Sequence, residues 1–108
     1  MTIYTSRPVV LCLSGHDPSG GAGLQADIEA LLAQGCHAAP TVTALTVQDT
    51  ANVLGFRVLE RDWVLAQAHA VIADMPIAAI KLGMLGSVQM VDTVIEIIQS
   101  LPGTPLVC

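Results

Sequence analysis

Cationic side chains are scarce in this 108-residue chain: four Lys plus Arg stand against nine Asp plus Glu, for a net charge of -5. That balance excludes recognition driven by nucleic-acid phosphates or by an anionic membrane surface. Charge of either sign is sparse, at 12% of residues. The three cysteines, Cys12, Cys36 and Cys108, lie far apart and form no Cys-x-x-Cys pair, which excludes a zinc ribbon or a thioredoxin-like site. Free thiols in a cysteine-poor chain fit a reducing, cytoplasmic setting. Met1 to Pro8 is a polar lead-in without the apolar core of a signal peptide. No apolar run reaches the roughly 18 residues of a membrane-spanning helix. Internal repeats, low-complexity tracts and charge blocks are all missing. At this length the chain is one domain at most.

The apolar fraction is 53%, which fits a sheet covered on both faces or a piece of a larger core. The chain is organised around Ser14-Gly15-His16-Asp17-Pro18-Ser19-Gly20-Gly21-Ala22-Gly23-Leu24-Gln25-Ala26-Asp27. Before it, residues 9–14 form an apolar run that predicts a strand buried on both faces. After it, Leu24, Ile28, Leu31 and Leu32 recur at helical spacing and predict a helix over 23–34, closed by Gly35 as a left-handed terminator. The β-branched residues 40–47 predict a second strand, and 55–59 an edge strand or a crossing loop. Asp62 is placed to cap a helix over 63–73, which Pro76 forbids from continuing. Residues 77–81 read as a core strand. Ser87 is placed to cap a helix over 88–101, with Met90, Val91, Val94, Ile95 and Ile98 on its buried side. Residues 105–108 begin a further strand. Strands alternating with helices imply parallel β-α-β units. The chain stops inside an apolar strand, so the expectation is the front part of a larger α/β domain, with 1–108 a single incomplete unit.

A strand that empties into a small-residue turn and then a helix is where α/β proteins place ligands. Gly21-x-Gly23-x-x-Ala26 satisfies the loose dinucleotide fingerprint, yet His16 to Gly20 intervene between strand and glycines, and Asp49 lies too far on for a ribose ligand. No Gly-Lys-Ser or Gly-Lys-Thr follows, which excludes a Walker-type phosphate loop. Glycines bring bare backbone close to a ligand, so a flat ring could lie against Gly20 to Gly23. A tight turn in which Asp17 satisfies local N–H groups accounts for the same residues.

The stretch from Ser14 to Asp27 resembles the N-terminal signature of the bacterial hydroxymethylpyrimidine and phosphomethylpyrimidine kinases of thiamine biosynthesis. Two later segments are similar to the same family, in order: Thr43-Ala44-Leu45-Thr46-Val47-Gln48-Asp49-Thr50, and Ala79-Ile80-Lys81-Leu82-Gly83-Met84-Leu85. The likeness runs from about residue 9 to the C-terminus. Asp49 stands where the family more commonly has Asn. The resemblance implies the N-terminal portion of a ribokinase-like, three-layer α-β-α domain with a mainly parallel sheet. It also implies ATP-dependent phosphorylation of 4-amino-5-hydroxymethyl-2-methylpyrimidine and its monophosphate.

By the same resemblance, Gln48 pairs with the pyrimidine edge, its amide offering both a donor and an acceptor. Gly15, Asp17 and Ala22 line the pocket floor, Thr46 contributes a backbone contact, and Met84 packs on the ring as an adaptable apolar wall. ATP and Mg²⁺ are implied as cofactors, their sites expected mostly in a C-terminal part beyond this chain. The chain carries no candidate for the Gly-rich anion hole of phosphoryl transfer, no catalytic residue and no metal ligand. The expected partner is a small pyrimidine, with a homo-oligomer as an option. A non-catalytic pyrimidine-binding or oligomerising remnant is the alternative. Isolated, the chain is expected to be poorly soluble, since an open parallel sheet leaves an apolar edge. Lys81 is read as a salt-bridge partner, a snorkelled amine or a group near phosphate, and Asp27 as stabilising its helix N-terminus. His37 and His69 read as surface or packing residues, Trp63 and Leu65 as core contacts.

Overall fold

The computed structural model describes residues 6–108; residues 1–5 of the expected lead-in lie outside the described residues. In chain order the elements are β1 (Val9–His16), α1 (Gly23–Ala33), β2 (His37–Gln48), β3 (Val53–Val58), α2 (Arg61–Asp74), β4 (Ile77–Leu82), α3 (Val88–Gln99) and β5 (Leu106–Val107). The strands form one sheet in the order β3-β2-β1-β4-β5. Pairings β1–β2, β1–β4 and β4–β5 are parallel, and β2–β3 is antiparallel.

β1 is the axis of the sheet because its residues are apolar on both faces, and strand alternation sends them to opposite layers. Leu11 and Leu13 join Ile80 against Val64 and Ala68 of α2 and Met90, Val94 and Ile97 of α3. Val10 and Cys12 meet Leu24 of α1 on the other side. Helices on both faces make three layers, as expected. α1 ends as Gly35 predicts. Gly35 has φ +78, its N–H donates to Leu32 O at 3.1 Å, and the Cys36 N–H reaches back to Leu31 O at 2.9 Å. At the start of α3 the Ser87 Oγ accepts from the Met90 N–H at 3.1 Å, as a capping serine does.

Several expectations are corrected. β1 and β2 outrun the predicted 9–14 and 40–47. β2 carries Pro40 inside it, which is tolerated because β3 pairs only from Ala44 onward and leaves the first half of β2 an edge. The ambiguous 55–59 segment is the edge strand β3, entered through a turn in which Asp49 Oδ1 accepts from the N–H groups of Ala51 and Asn52 at 2.9 and 2.8 Å. The N-cap of α2 is Glu60, and Asp62 lies in the first turn. Trp63 is 67% exposed rather than core, while Leu65 does pack on the core. Leu32 faces solvent. α3 stops at Gln99 and buries Met90, Thr93, Val94 and Ile97, turning Val91 and Ile95 outward. Ile98 is partly buried against the core. His69 is exposed and His37 half-buried at the start of β2.

The open half of β2 is closed by a side chain. Gln67 Oε1 accepts from the Val42 N–H at 3.0 Å, and its Nε2 donates to Val42 O at 3.0 Å, reproducing with one amide the pairing of an absent strand. Gln67→Ala is expected to lower stability by about 1–2 kcal/mol, because it orphans a part-buried backbone donor and acceptor together. Chemical denaturation checks the loss and light scattering checks the accompanying association. Unchanged values for both would contradict the role.

Candidate functional site

A cleft of about 310 Å³ opens where β1, β2 and β4 end. Ser14, Gly15 and His16 come from β1, Asp17, Ala22 and Gly23 from the following turn and the start of α1, Thr46 and Gln48 from β2. Val53 comes from β3, Lys81 from β4, and Gly83 and Met84 from the loop after it. β1 has β2 on one side and β4 on the other, so the chain reverses its direction across the sheet here. Carboxyl ends of parallel strands at such a reversal form a crevice that no helix fills. A larger hollow of about 400 Å³ lies beyond the turn, against Leu24, Ile28, Pro40 and Val42. It draws its lining from α1, the turn, the last residue of β1 and the first half of β2, and lacks the convergence of polar groups from several strand ends that makes a recognition site.

Asp17 builds the turn. Its Oδ1 accepts from the Ser19 N–H at 2.8 Å and the Ser19 hydroxyl at 2.7 Å, and its Oδ2 from the Gly21 N–H at 3.1 Å. The Ser19 hydroxyl chiefly, helped by the backbone amides of Ser19, Ala22 and Gly21, holds its carboxyl below the usual 3.8 against the opposing effect of burial. Asp17 therefore does what the local-turn reading assigned to it while also lining the cleft. Gly23, with φ +61, brings α1 so close to β1 that a Cβ there would stand 2.3 Å from Gly15 O.

Two threonine hydroxyls tie the strands together across the cleft. Thr43 Oγ1 donates to Met84 O at 2.7 Å, which fixes the loop that carries the Met84 side chain. Thr46 Oγ1 donates to His16 O at 2.7 Å and accepts from Gln48 Nε2 at 2.6 Å. Met84 lies over Gly15, where a Cβ would be 3.5 Å from its Sδ.

Lys81 pairs with Asp27 of α1. Asp27 is buried in the body of the helix and not in its first turn, so the expected dipole role is replaced by an ion pair. Its Oδ2 has no hydrogen-bond partner among the described residues. Cys12 lies beside the pair. Burial, then the Asp27 charge, push its thiol up to about 11, against a smaller lowering by Lys81. Cys12 is thus protonated at neutral pH and inert as a nucleophile.

All six residues singled out from the sequence, Gly15, Asp17, Ala22, Thr46, Gln48 and Met84, line this one cleft. Val53 and the hydroxyls of Thr43 and Thr46 escaped sequence reasoning. The available signal was a strand with Thr41, Thr43 and Thr46 in an otherwise apolar chain, since buried hydroxyls need partners. Among the described residues no three His, Cys, Asp or Glu side chains converge as a metal site would require, and no helix is long and apolar enough to cross a membrane.

The layered sheet defines a ribokinase-like α/β fold. The chain superposes on a pyridoxal kinase from Staphylococcus aureus with a TM-score of 0.81 and 25% identity, covering 94% of this chain and 38% of that one. It superposes on a phosphomethylpyrimidine kinase from Clostridium difficile 630 with a TM-score of 0.87 and 32% identity, covering 93% of this chain and 43% of that one. More narrowly, residues 17–108 match the phosphomethylpyrimidine kinase family, and the chain belongs to it. It is 42% identical over 91 residues to the hydroxymethylpyrimidine/phosphomethylpyrimidine kinase of Streptomyces coelicolor, which covers 84% of this chain and 34% of the relative. The corresponding kinase of Mycobacterium tuberculosis H37Rv is 44% identical over 87 residues, covering 81% of this chain and 32% of the relative. The chain thus spans about a third of the length of these relatives.

Two outcomes follow from the geometry. Because the Asp17 pKa is lowered on folding, its stabilisation of the turn is complete above the ordinary value of 3.8 and is lost as pH falls through the lowered one. In an acid titration followed by NMR, the Ser19 and Gly21 amides are expected to move with a midpoint below 3.8. Movement centred above 3.8 would contradict the assignment. Lys81→Met, which strands a buried carboxylate beside a half-open partner site, is expected to cost about 1–3 kcal/mol. Adding Asp27→Leu is expected to return part of that loss in a denaturation cycle, and a purely additive cycle would show the two residues to be uncoupled.

Proposed function

We propose that this chain is the pyrimidine-recognising part of a kinase that phosphorylates 4-amino-5-hydroxymethyl-2-methylpyrimidine and its monophosphate in thiamine diphosphate biosynthesis. The observation that carries this reading is the convergence of Gly15, Asp17, Ala22, Thr46, Gln48 and Met84 on one cleft at the strand ends, in a chain of the phosphomethylpyrimidine kinase family. A flat ring entering the cleft meets the Gln48 amide along its polar edge and the Met84 thioether on its face. Gly15 and Ala22 leave room for it by having little or no side chain. Asp17 acts through the turn: with its oxygens held by Ser19 and Gly21, it keeps the floor in shape and offers little to a ligand.

ATP and Mg²⁺ belong to such a reaction, in which nucleotide and metal bring the transferable phosphoryl group and neutralise its charge. The residues of this chain do not fit either. The Asp17 carboxylate is engaged by its own turn, Asp27 is paired with Lys81, and among the described residues no three His, Cys, Asp or Glu side chains converge. The chain's own part is to bind and orient the pyrimidine. In this reading 1–108 is one incomplete ribokinase-like unit, and the chain by itself binds without turnover. Exposed Leu106 and Val107 on the edge strand β5 accord with a partner element beyond it.

Calorimetric titration of hydroxymethylpyrimidine into the chain tests the reading. Binding is expected, and Gln48→Ala is expected to weaken it at least about tenfold, the cost of a ligand's polar edge left unpaired. No heat with the wild-type chain, or equal binding by the variant, would overturn it. ATP-dependent turnover by the 108-residue chain would overturn the clause that it is inert.

A further inference from the structure

An amide side chain can present either of its ends to a ligand, and something must choose. We infer that the Thr46 hydroxyl makes that choice for Gln48 and so sets the cleft to select a 4-aminopyrimidine over its 4-oxo counterpart. The inference rests on the pyrimidine reading above and deepens it.

The fixed point is the main-chain carbonyl of His16, a group that can only accept. Thr46 Oγ1 donates its one proton there, at 2.7 Å. The hydroxyl is left with lone pairs alone, so its second neighbour must be a donor. Gln48 Nε2 supplies that donor at 2.6 Å. Turned over, the amide would set Oε1 against a hydroxyl oxygen whose proton is already committed, two acceptors at hydrogen-bond distance. Thr46 is buried at 8% exposure, so solvent has little access to relieve that conflict. The orientation of Gln48 is therefore dictated by a backbone atom of a different strand. Thr46 touches the ligand through none of this; it is a positioning residue.

With Nε2 held toward Thr46, what Gln48 offers the cleft is its second N–H and its Oε1, which has no partner among the described residues, in one fixed order. A 4-aminopyrimidine complements that pair: a ring nitrogen accepts and the exocyclic amino group donates, as adenine does to an amide side chain. The 4-oxo ring in its lactam form carries the same two functions reversed, an N–H beside a C=O. A freely turning amide would serve both by rotating half a turn. Turning the ring over instead would carry its 5-hydroxymethyl group to the wrong side of the cleft. Locking the amide thus converts a permissive side chain into a selective one, through an unmatched polar pair rather than a clash.

Calorimetry on the chain with the 4-amino and 4-oxo forms of 5-hydroxymethyl-2-methylpyrimidine decides the matter. The wild-type chain is expected to favour the amino ring at least about tenfold, the discrimination that a misplaced hydrogen-bonding pair enforces. Thr46→Val preserves shape while removing the hydroxyl, and is expected to bring the ratio to within about threefold, mainly by gaining affinity for the oxo ring. Thr46→Ser is expected to restore the wild-type ratio. An unchanged ratio in Thr46→Val, or a loss shared equally by both rings, overturns the lock and leaves the pyrimidine reading standing. A wild-type chain that binds neither ring, or binding indifferent to Gln48→Ala, overturns both. A ligand-free measurement stands beside these. In ¹⁵N spectra of the wild-type chain, one Gln48 Nε2 proton is expected to be shifted and slow to exchange, and two protons both at free-glutamine positions and both exchanging fast would overturn the lock even if the variants fail to fold.

Discussion

Three segments meet at the end of β1, and the site depends on two of them approaching it through glycines that carry no side chain. A Cβ at Gly23 would stand 2.3 Å from Gly15 O, and one at Gly83 would stand 2.1 Å from Ser14 Oγ. No side chain fits at either distance. The first approach seats the N-terminus of α1 directly on the strand end; the second lets β4 leave the sheet beside β1 and carry Met84 over Gly15. Widen either gap by one methyl group and the cleft loses its floor or its wall. Close backbone approach is the use of glycine that a side-chain-bearing residue cannot replace.

Around that crossing an apolar chain has to accommodate polar groups, and it does so by pairing almost all of them internally. The carboxylate of Asp17 is absorbed by its turn, the hydroxyls of Thr43 and Thr46 by carbonyls of other segments, and Lys81 by Asp27. Buried polar groups without partners are costly, so these pairs hold the loops at defined positions rather than merely decorating them. Gln48 lines the cleft with its Oε1 and one N–H unspent. An amide held in place by a neighbouring hydroxyl, with one edge open, can present a donor and an acceptor side by side.

Much of the architecture was legible in the chain. The apolar run of β1, the Gly35 terminator, the Ser87 cap and the β-branched stretch of β2 are local patterns whose physics lies within a few residues. The misreadings share a cause. α3 has apolar residues on more than one side, and periodicity does not tell which side meets α2 and the sheet; Ile97 and Thr93 went inside while Val91 and Ile95 stayed out. Trp63 was assigned to the core on hydrophobicity, yet it sits in the first turn of α2, facing away from the Val64 and Ala68 stripe. Pro40 marked a strand boundary only if β2 were flanked on both sides, and half of it is not.

The six cleft residues were found through strings resembling a family, and the fold then brought them together. The sequence by itself determined where strands and helices begin and end to within a few residues, where the backbone can take positive φ, and which short segments carry the family's signature. All of these are properties of neighbouring residues. Only the tertiary structure decided that Thr46 spends its proton on His16 O, that Thr43 holds the carbonyl of Met84, and that Lys81 answers Asp27. Those partners lie 30, 41 and 54 residues apart in the chain. A hydrogen bond acts over about three ångströms, so nothing short of the folded sheet could have said which of them meet.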